Sequence, residues 1–259
     1  MEAVSLPSIN PKDLFKQAFE LKESRGIIIS DSEDAIQTAM SSIKFHRKEL
    51  EKYIQEHPRF LYSLQPVPVN KGPKVAELMS EATEAAEVGP MAAVAGVLAD
   101  LAVNDMVSKG AKVAVVENGG EASVVSDRPV DVALVAGDCP LSKRVGFRLE
   151  HSPMGIATSS GVYSHALSFG DAEAVTIFAR NAGLADAAAT AVGNVVKGDD
   201  HRGAVECGIK RALSIKGVEG VFILYRDRVG KGGKVPLIIG INPLSRTEDL
   251  FRRQPHGSG

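Results

Sequence analysis

The chain has 259 residues, 30 Lys+Arg against 32 Asp+Glu for a net charge of −2, and 44% hydrophobic residues. That apolar content suits a globular core, and the near-neutral balance leaves no broad basic field for nucleic acid or anionic lipid. Trp is absent and aromatics are only 5%, which excludes stacking platforms for single strands, and two distant cysteines, Cys139 and Cys207, exclude a disulfide framework or a Cys-rich metal centre. Both cysteines are expected to be buried free thiols.

No apolar signal core follows the N-terminus, where Glu2 and Asp13 stand. The first strand is expected at 26–29, followed by a helix to about Pro58 opened by a capping box of Ser30 and Glu33. Ile36, Ala39, Met40, Ile43, Leu50 and Ile54 keep helical spacing along it. Residues 65–69, with two prolines, read as an extended connector. Helices are expected at 74–87 and 91–109, separated by Gly89-Pro90. The second holds the richest apolar stretch, 91–103, which Asp100 interrupts and which reads as too short to span a bilayer.

From Gly110 the pattern turns to strands, at 112–116, 130–135, 145–149, 155–158 and 174–179. Helices at 181–196 and 202–214 follow, then strands at 221–225 and 235–241. Helices set among blocks of consecutive strands indicate an α+β fold with a largely antiparallel sheet. No composition break divides the chain, so residues 1–259 read as a single domain, with 244–259 as a solvated tail carrying Arg246, Arg252 and Arg253.

Four segments carry residues suited to chemistry. On the helix at 181–196, Asp186 and Thr190 are four apart and share a face. A carboxylate and a hydroxyl there are hard oxygen ligands of the kind Mg²⁺ takes while keeping waters or substrate phosphates. Spacing alone favours a polar pair in which Asp186 answers free N–H groups of a helix start. In Glu117-Asn118-Gly119-Gly120-Glu121, two glycines let successive N–H groups converge on an anion, or simply close a hairpin. Thr158-Ser159-Ser160-Gly161 offers hydroxyls for phosphate or ribose, or a polar exit from a strand. His165 follows as an acid–base group or a structural histidine. The fourth segment, Gly89-Pro90-Met91-Ala92-Ala93-Val94-Ala95-Gly96, leads into a helix lined with small residues.

Taken in order, these segments resemble the ApbE-like superfamily, whose best-known members are FAD:protein FMN transferases. The resemblance covers about residues 25–200, and its most specific motif is Ala185-Asp186-Ala187-Ala188-Ala189-Thr190-Ala191. Gly-Pro-Met-Ala-x-Val-Ala-Gly and Glu-Asn-Gly-Gly point within it to a branch apart from the transferases. It implies a T-fold-like architecture, Mg²⁺ at Asp186 and Thr190, and FAD or FMN against Asn118, Gly119, Gly120, Glu121, Thr158, Ser159, Ser160 and Gly161, with His165 in the catalytic position. It further implies transfer of FMN or a nucleotidyl group, or else a non-catalytic flavin- or anion-binding role, with a link to anaerobic sulfur assimilation at homocysteine formation. The departures are specific. The transferases' lysine falls on Ala95, their aspartate after Gly-Gly is Glu121, their His-x-x-Asp-Pro segment shrinks to Tyr163-Ser164-His165, and their N-terminal flavin-contacting region has no counterpart. The expectation is a cytoplasmic protein that binds a nucleotide or anionic metabolite, with neither nucleic acid nor membrane as partner and homo-oligomerisation left open.

Overall fold

A computed structural model describes residues 4–5, 14–137, 139–160 and 170–241. Gly161, His165 and the tail 244–259 lie outside the described residues. In chain order the strands are β1 (Val4–Ser5), β2 (Phe15–Leu21), β3 (Ser24–Ser30), β4 (Val113–Asn118), β5 (Glu121–Ser126), β6 (Val130–Ala133), β7 (Val145–Leu149), β8 (Met154–Ser159), β9 (Ala174–Ala179), β10 (Val218–Tyr225), β11 (Arg228–Gly233) and β12 (Leu237–Gly240). The helices are α1 (Glu33–Glu56), α2 (Pro58–Tyr62), α3 (Lys74–Ala86), α4 (Val94–Ser108), α5 (Ala182–Gly193) and α6 (His201–Ser214), with a 3₁₀ turn, Pro90–Ala93, leading into α4.

Strands β11-β10-β9-β8-β5-β4-β3-β2 form one antiparallel sheet, and β1-β6-β7-β12 form a second, smaller one. The two-residue period of each strand divides the large sheet's side chains between two cores. Ile28, Ala114 and Val116 meet α1 and α4, while Ala157, Val175, Ile177 and Ile223 meet α3, α5 and α6. Ile27, Ile29, Val115, Ile156, Phe178 and Phe222 point the other way, onto Val130, Val132, Phe147 and Leu149 of the small sheet. The Phe147 ring meets those of Phe178 and Phe222 edge-on at 4.9 and 5.3 Å. Burying a side chain of that size contributes roughly 1.5–3 kcal/mol. The result is three layers: helices, large sheet, small sheet.

Helix α1 starts two residues later than the Ser30–Glu33 capping box implies. Its N-cap is Ser32, extended at φ −135°, whose side chain accepts from the Ala35 N–H at 3.3 Å. Ser30 instead accepts the Ser32 N–H, completing the approach to the helix. The cysteines also differ from expectation: Cys207 is exposed on α6 and Cys139 is half-buried. The 3₁₀ turn and α4 together run 19 residues, Pro90–Ser108, so by length and composition alone this run reaches what crossing a membrane requires. In the fold it is a core helix packed against α1, α5 and β4, with Asp100 hydrogen-bonded midway along it.

One irregularity of the large sheet prepares the site. Strand β8 pairs with β5 only as far as Ile156↔Ala122, yet continues beside β9 through Ala157, Thr158 and Ser159. The β4–β5 hairpin has already turned at Gly119-Gly120, so β8 overruns it and leaves a notch in the end of the sheet. Through that notch the helical layer reaches the side covered by the small sheet.

Candidate active site

A cavity of about 460 Å³ occupies the notch. The large sheet contributes Arg25, Glu117, Gly119, Gly120, Glu121, Thr158, Ser160 and Thr176, and the small sheet an apolar wall of Val132, Leu134 and Phe147. Met91, Val94 and Ala95 close it from the start of α4, and Asp186 with Thr190 from α5. Its size and its mixture of apolar wall with convergent polar groups are those of a small-molecule site.

Asp186 and Thr190 come from successive turns of α5 and both reach the cavity. Asp186 also accepts the Gly96 N–H at 3.0 Å, and the Ala95 N–H lies against the same carboxylate. Asp186 therefore answers free N–H groups of a helix start, with one refinement: they belong to α4, not to its own helix. Helices α4 and α5 approach this closely because a side chain at Gly96 would collide with the Ala182 backbone. The approach is reciprocal. Asp100 of α4 accepts from the Ala182 and Gly183 N–H groups at the start of α5, at 2.9 and 2.8 Å, and from the Ser123 hydroxyl at 2.7 Å.

The carboxylates of the cavity sit in unfavourable electrostatic surroundings. Burial pushes Asp186 up, the two N–H groups pull it back, and Asp100 adds to the rise. Glu121 is held well above the usual carboxylate range by burial and then by the charges of Asp186 and Glu117. Burial raises Glu117 to about 7, against the pull of the Gly120 N–H and of Arg25. Among the described residues, no three His, Cys, Asp or Glu side chains gather at a spacing that would hold a metal by themselves. The donor set nonetheless fits a divalent cation of the Mg²⁺ type. A carboxylate and a hydroxyl occupy two positions and leave the rest to water and substrate, and a cation relieves the repulsion between Asp186 and Glu121.

The remaining expected residues divide. Gly119 and Gly120, both at positive φ (74° and 120°), line the cavity, but as a two-residue hairpin turn between Asn118 and Glu121. Their N–H groups are already used, Gly119 to the Arg25 carbonyl at 2.9 Å and Gly120 to Glu117 Oε1 at 2.8 Å. This corrects the expectation that they converge on an anion. Asn118 points to the helical side, where its amide donates to the Ala95 carbonyl at 3.1 Å, so it fixes the cavity wall and does not line it. Strand alternation separates the hydroxyls too: Thr158 and Ser160 face the cavity, and Ser159 falls on the other face of β8. The Thr158 hydroxyl is paired with that of Thr176 at 2.9 Å.

Sequence reasoning passed over Glu117, Asp100, Arg25 and Thr176. Two of these had a signal: Glu117 is a charge inside the otherwise apolar strand Val113-Ala114-Val115-Val116, and Asp100 is the one charge within the apolar run 91–103. Arg25 and Thr176 had none.

A family model described as AbpE bacteria matches residues 12–213. The chain belongs to this family. The UPF0280 protein of Methanopyrus kandleri is 40% identical over 232 residues, covering 88% of this chain and 94% of that protein. The UPF0280 protein of Methanococcus vannielii is 37% identical over 232 residues, with the same shares of 88% and 94%. Among solved structures, the flavinyl transferase ApbE of Pseudomonas stutzeri matches with a TM-score of 0.54 at 14% identity, over 88% of this chain and 94% of that one. The ApbE protein of Thermotoga maritima matches at 0.53 with 13% identity, over 85% and 97%. These likenesses establish an ApbE fold for the family member described here.

Proposed function

We propose that the cavity is a Mg²⁺-dependent site for a flavin or another nucleotide, with Asp186 and Thr190 as the metal ligands. The observation that carries this reading is that the two oxygen donors of α5 open onto one cavity beside Glu121, whose charge and that of Asp186 disfavour each other until a cation lies between them. The metal supplies neutralisation of a pyrophosphate. The chain's own residues do the rest: Thr158 and Ser160 present hydroxyls to the ligand, Asn118 braces the start of α4, and Val132, Leu134 and Phe147 give an apolar wall for a ring system. Gly161 and His165 keep the ligand-contact and acid–base roles that the resemblance implies.

Transfer of FMN from FAD is expected to be absent, or far slower than in the transferases that the chain resembles. Ala95 brings no cation to the cavity, and the turn at Gly119-Gly120 has no N–H to offer a leaving phosphate. Losing one such donor costs about 10²–10³-fold in rate. This favours a binding role over the transfer reaction as the second reading of the same site. Calorimetric titration of FAD, FMN and ATP with and without Mg²⁺, on the parent and on Asp186→Ala, tests the site. Incubation with FAD, Mg²⁺ and a flavin-acceptor domain tests the transfer. Mg²⁺-dependent binding that Asp186→Ala abolishes is expected. Absence of binding by all three nucleotides would remove the reading and leave an anionic metabolite, such as one of sulfur assimilation, as the ligand.

A further inference from the structure

We infer that Arg25, on β3, is the residue that receives the anionic end of the ligand in this cavity. The inference rests on the reading of the cavity as a nucleotide site and supplies the protein cation that Ala95 does not. Among the described residues Arg25 is the one Lys or Arg that lines the cavity, whose lining also holds four carboxylates, Glu23, Glu117, Glu121 and Asp186. One of the four is already answered, since Glu23 pairs with Arg47.

The cations beside Arg25 are paired with carboxylates, whereas Arg25 itself, among the described residues, acts on Glu117 through space without a hydrogen bond. At the tip of the β2–β3 hairpin, Lys22 pairs with Glu51 at 2.7 Å, and Arg47 binds Ser24 at 2.7 Å as well as Glu23. The guanidinium of Arg25 makes no hydrogen bond or ion pair among the described residues, and its side chain is exposed. Its backbone, by contrast, is fixed: the Arg25 carbonyl accepts the Gly119 N–H at 2.9 Å, and Gly26 beside it pairs with Asn118. The turn that was expected to grip an anion therefore spends its N–H on holding an arginine at the cavity's edge.

Alternation along β3 fixes which way that arginine points. Ile27 and Ile29 face the small sheet, as do Val115 and Glu117 on β4, and Arg25 shares their parity. The side chain thus stands on the cavity face, on the sheet wall, while the metal ligands stand on the helical wall. A planar guanidinium with paired N–H donors matches two oxygens of a phosphate, and a lysine at the same place does not reproduce that fork. With a cation held by Asp186 and Thr190, the ligand's phosphates would meet two positive poles, that cation and the guanidinium of Arg25. It also leaves a phosphate-free isoalloxazine without a partner at Arg25.

Arg25→Ala and Arg25→Lys, titrated in Mg²⁺ with FMN, FAD and riboflavin, test this. Arg25→Ala is expected to weaken FMN and FAD about tenfold to a hundredfold. Arg25→Lys should recover only part of the loss, and riboflavin and Mg²⁺ affinity and the melting temperature should not move. If the parent binds FMN and Arg25→Ala binds it equally well, the inference about Arg25 is overturned while the nucleotide site stands. Equal losses for FMN and riboflavin would also overturn it, since the arginine would then be shaping the cavity and not reading phosphate. If the parent binds no flavin nucleotide, the reading of the site fails, and inorganic pyrophosphate becomes the probe. Pyrophosphate binding that Arg25→Ala weakens would still support the arginine as an anion receiver, and its absence or indifference to the substitution would overturn that too.

Discussion

Asp100 and Asp186 do the same thing to each other's helices and end in opposite situations. Each takes N–H groups from the first turn of the other's helix: Asp100 those of Ala182 and Gly183, Asp186 that of Gly96. Such groups have no partner within their own helix, and an anion there is favoured by the helix dipole. Asp100 adds the Ser123 hydroxyl and is buried with three donors on its two oxygens, at the lining of a second cavity. Asp186 has no such third partner among the described residues and opens onto the cavity beside Thr190. What separates a structural carboxylate from one free to meet a ligand here is not the residue or its helix. It is whether strand β5 supplies a hydroxyl above it or the notch leaves it open.

Removing both carboxylates in turn is the strongest way to break that contrast. Asp100→Ala strands three buried donors and should cost about 3–5 kcal/mol in denaturant unfolding. Asp186→Ala should cost within about 1 kcal/mol, because the lost cap is offset by relief of Glu121, while Mg²⁺ binding disappears. Comparable destabilisation by the two would show that Asp186 is as structural as Asp100.

The pH dependence of stability sharpens the comparison on the cavity side. Glu117 is raised from 4.5 to about 7 by burial, so between those values the folded state holds a proton that the unfolded chain has released. Stability of the metal-free protein should therefore fall as the pH rises through that window, by on the order of 3 kcal/mol from Glu117. Glu117→Gln keeps an acceptor for the Gly120 N–H and should reduce the slope, leaving the part that Asp186 and Glu121 contribute. An unchanged slope in urea unfolding from pH 5 to 8 would remove Glu117 as its source.

Two smaller effects bear on the opening itself. Thr190→Val should lower Mg²⁺ affinity roughly tenfold or more with little change in melting temperature. If affinity holds, Thr190 lines the cavity without binding the ion. Gly120→Ala should cost about 1 kcal/mol, since φ is 120° there. It should leave nucleotide affinity unchanged, because the Gly120 N–H is occupied by Glu117 and a new Cβ meets nothing within 4 Å. A marked loss of affinity would return the turn to the list of ligand contacts.

The amino-acid sequence by itself determined the elements whose residues carry strong periodicity: β7 at Val145–Leu149 and β9 at Ala174–Ala179 fall where the apolar pattern puts them, and α3, α5 and α6 lie within a few residues of theirs. It did not reveal β2, β5 or β11. Phe15–Leu21 and Arg228–Gly233 are edge strands with exposed polar or glycine positions, and Glu121–Ser126 alternates around small residues, so none presents an apolar run. The motif residues Asp186, Thr190, Glu121, Thr158 and Ser160 were legible, and their meeting in one cavity follows the order of the segments. Tertiary structure alone decided the direction of every hydrogen bond there. Strand parity turned Asn118 and Ser159 away from the cavity and Glu117 and Arg25 toward it, and the register of β8 past β5 made the opening. A local sequence records which residues can donate, accept or ligate. Which of them remain free for a ligand depends on partners tens of residues away, as the N–H groups of Gly119 and Gly96 found theirs at Arg25 and Asp186.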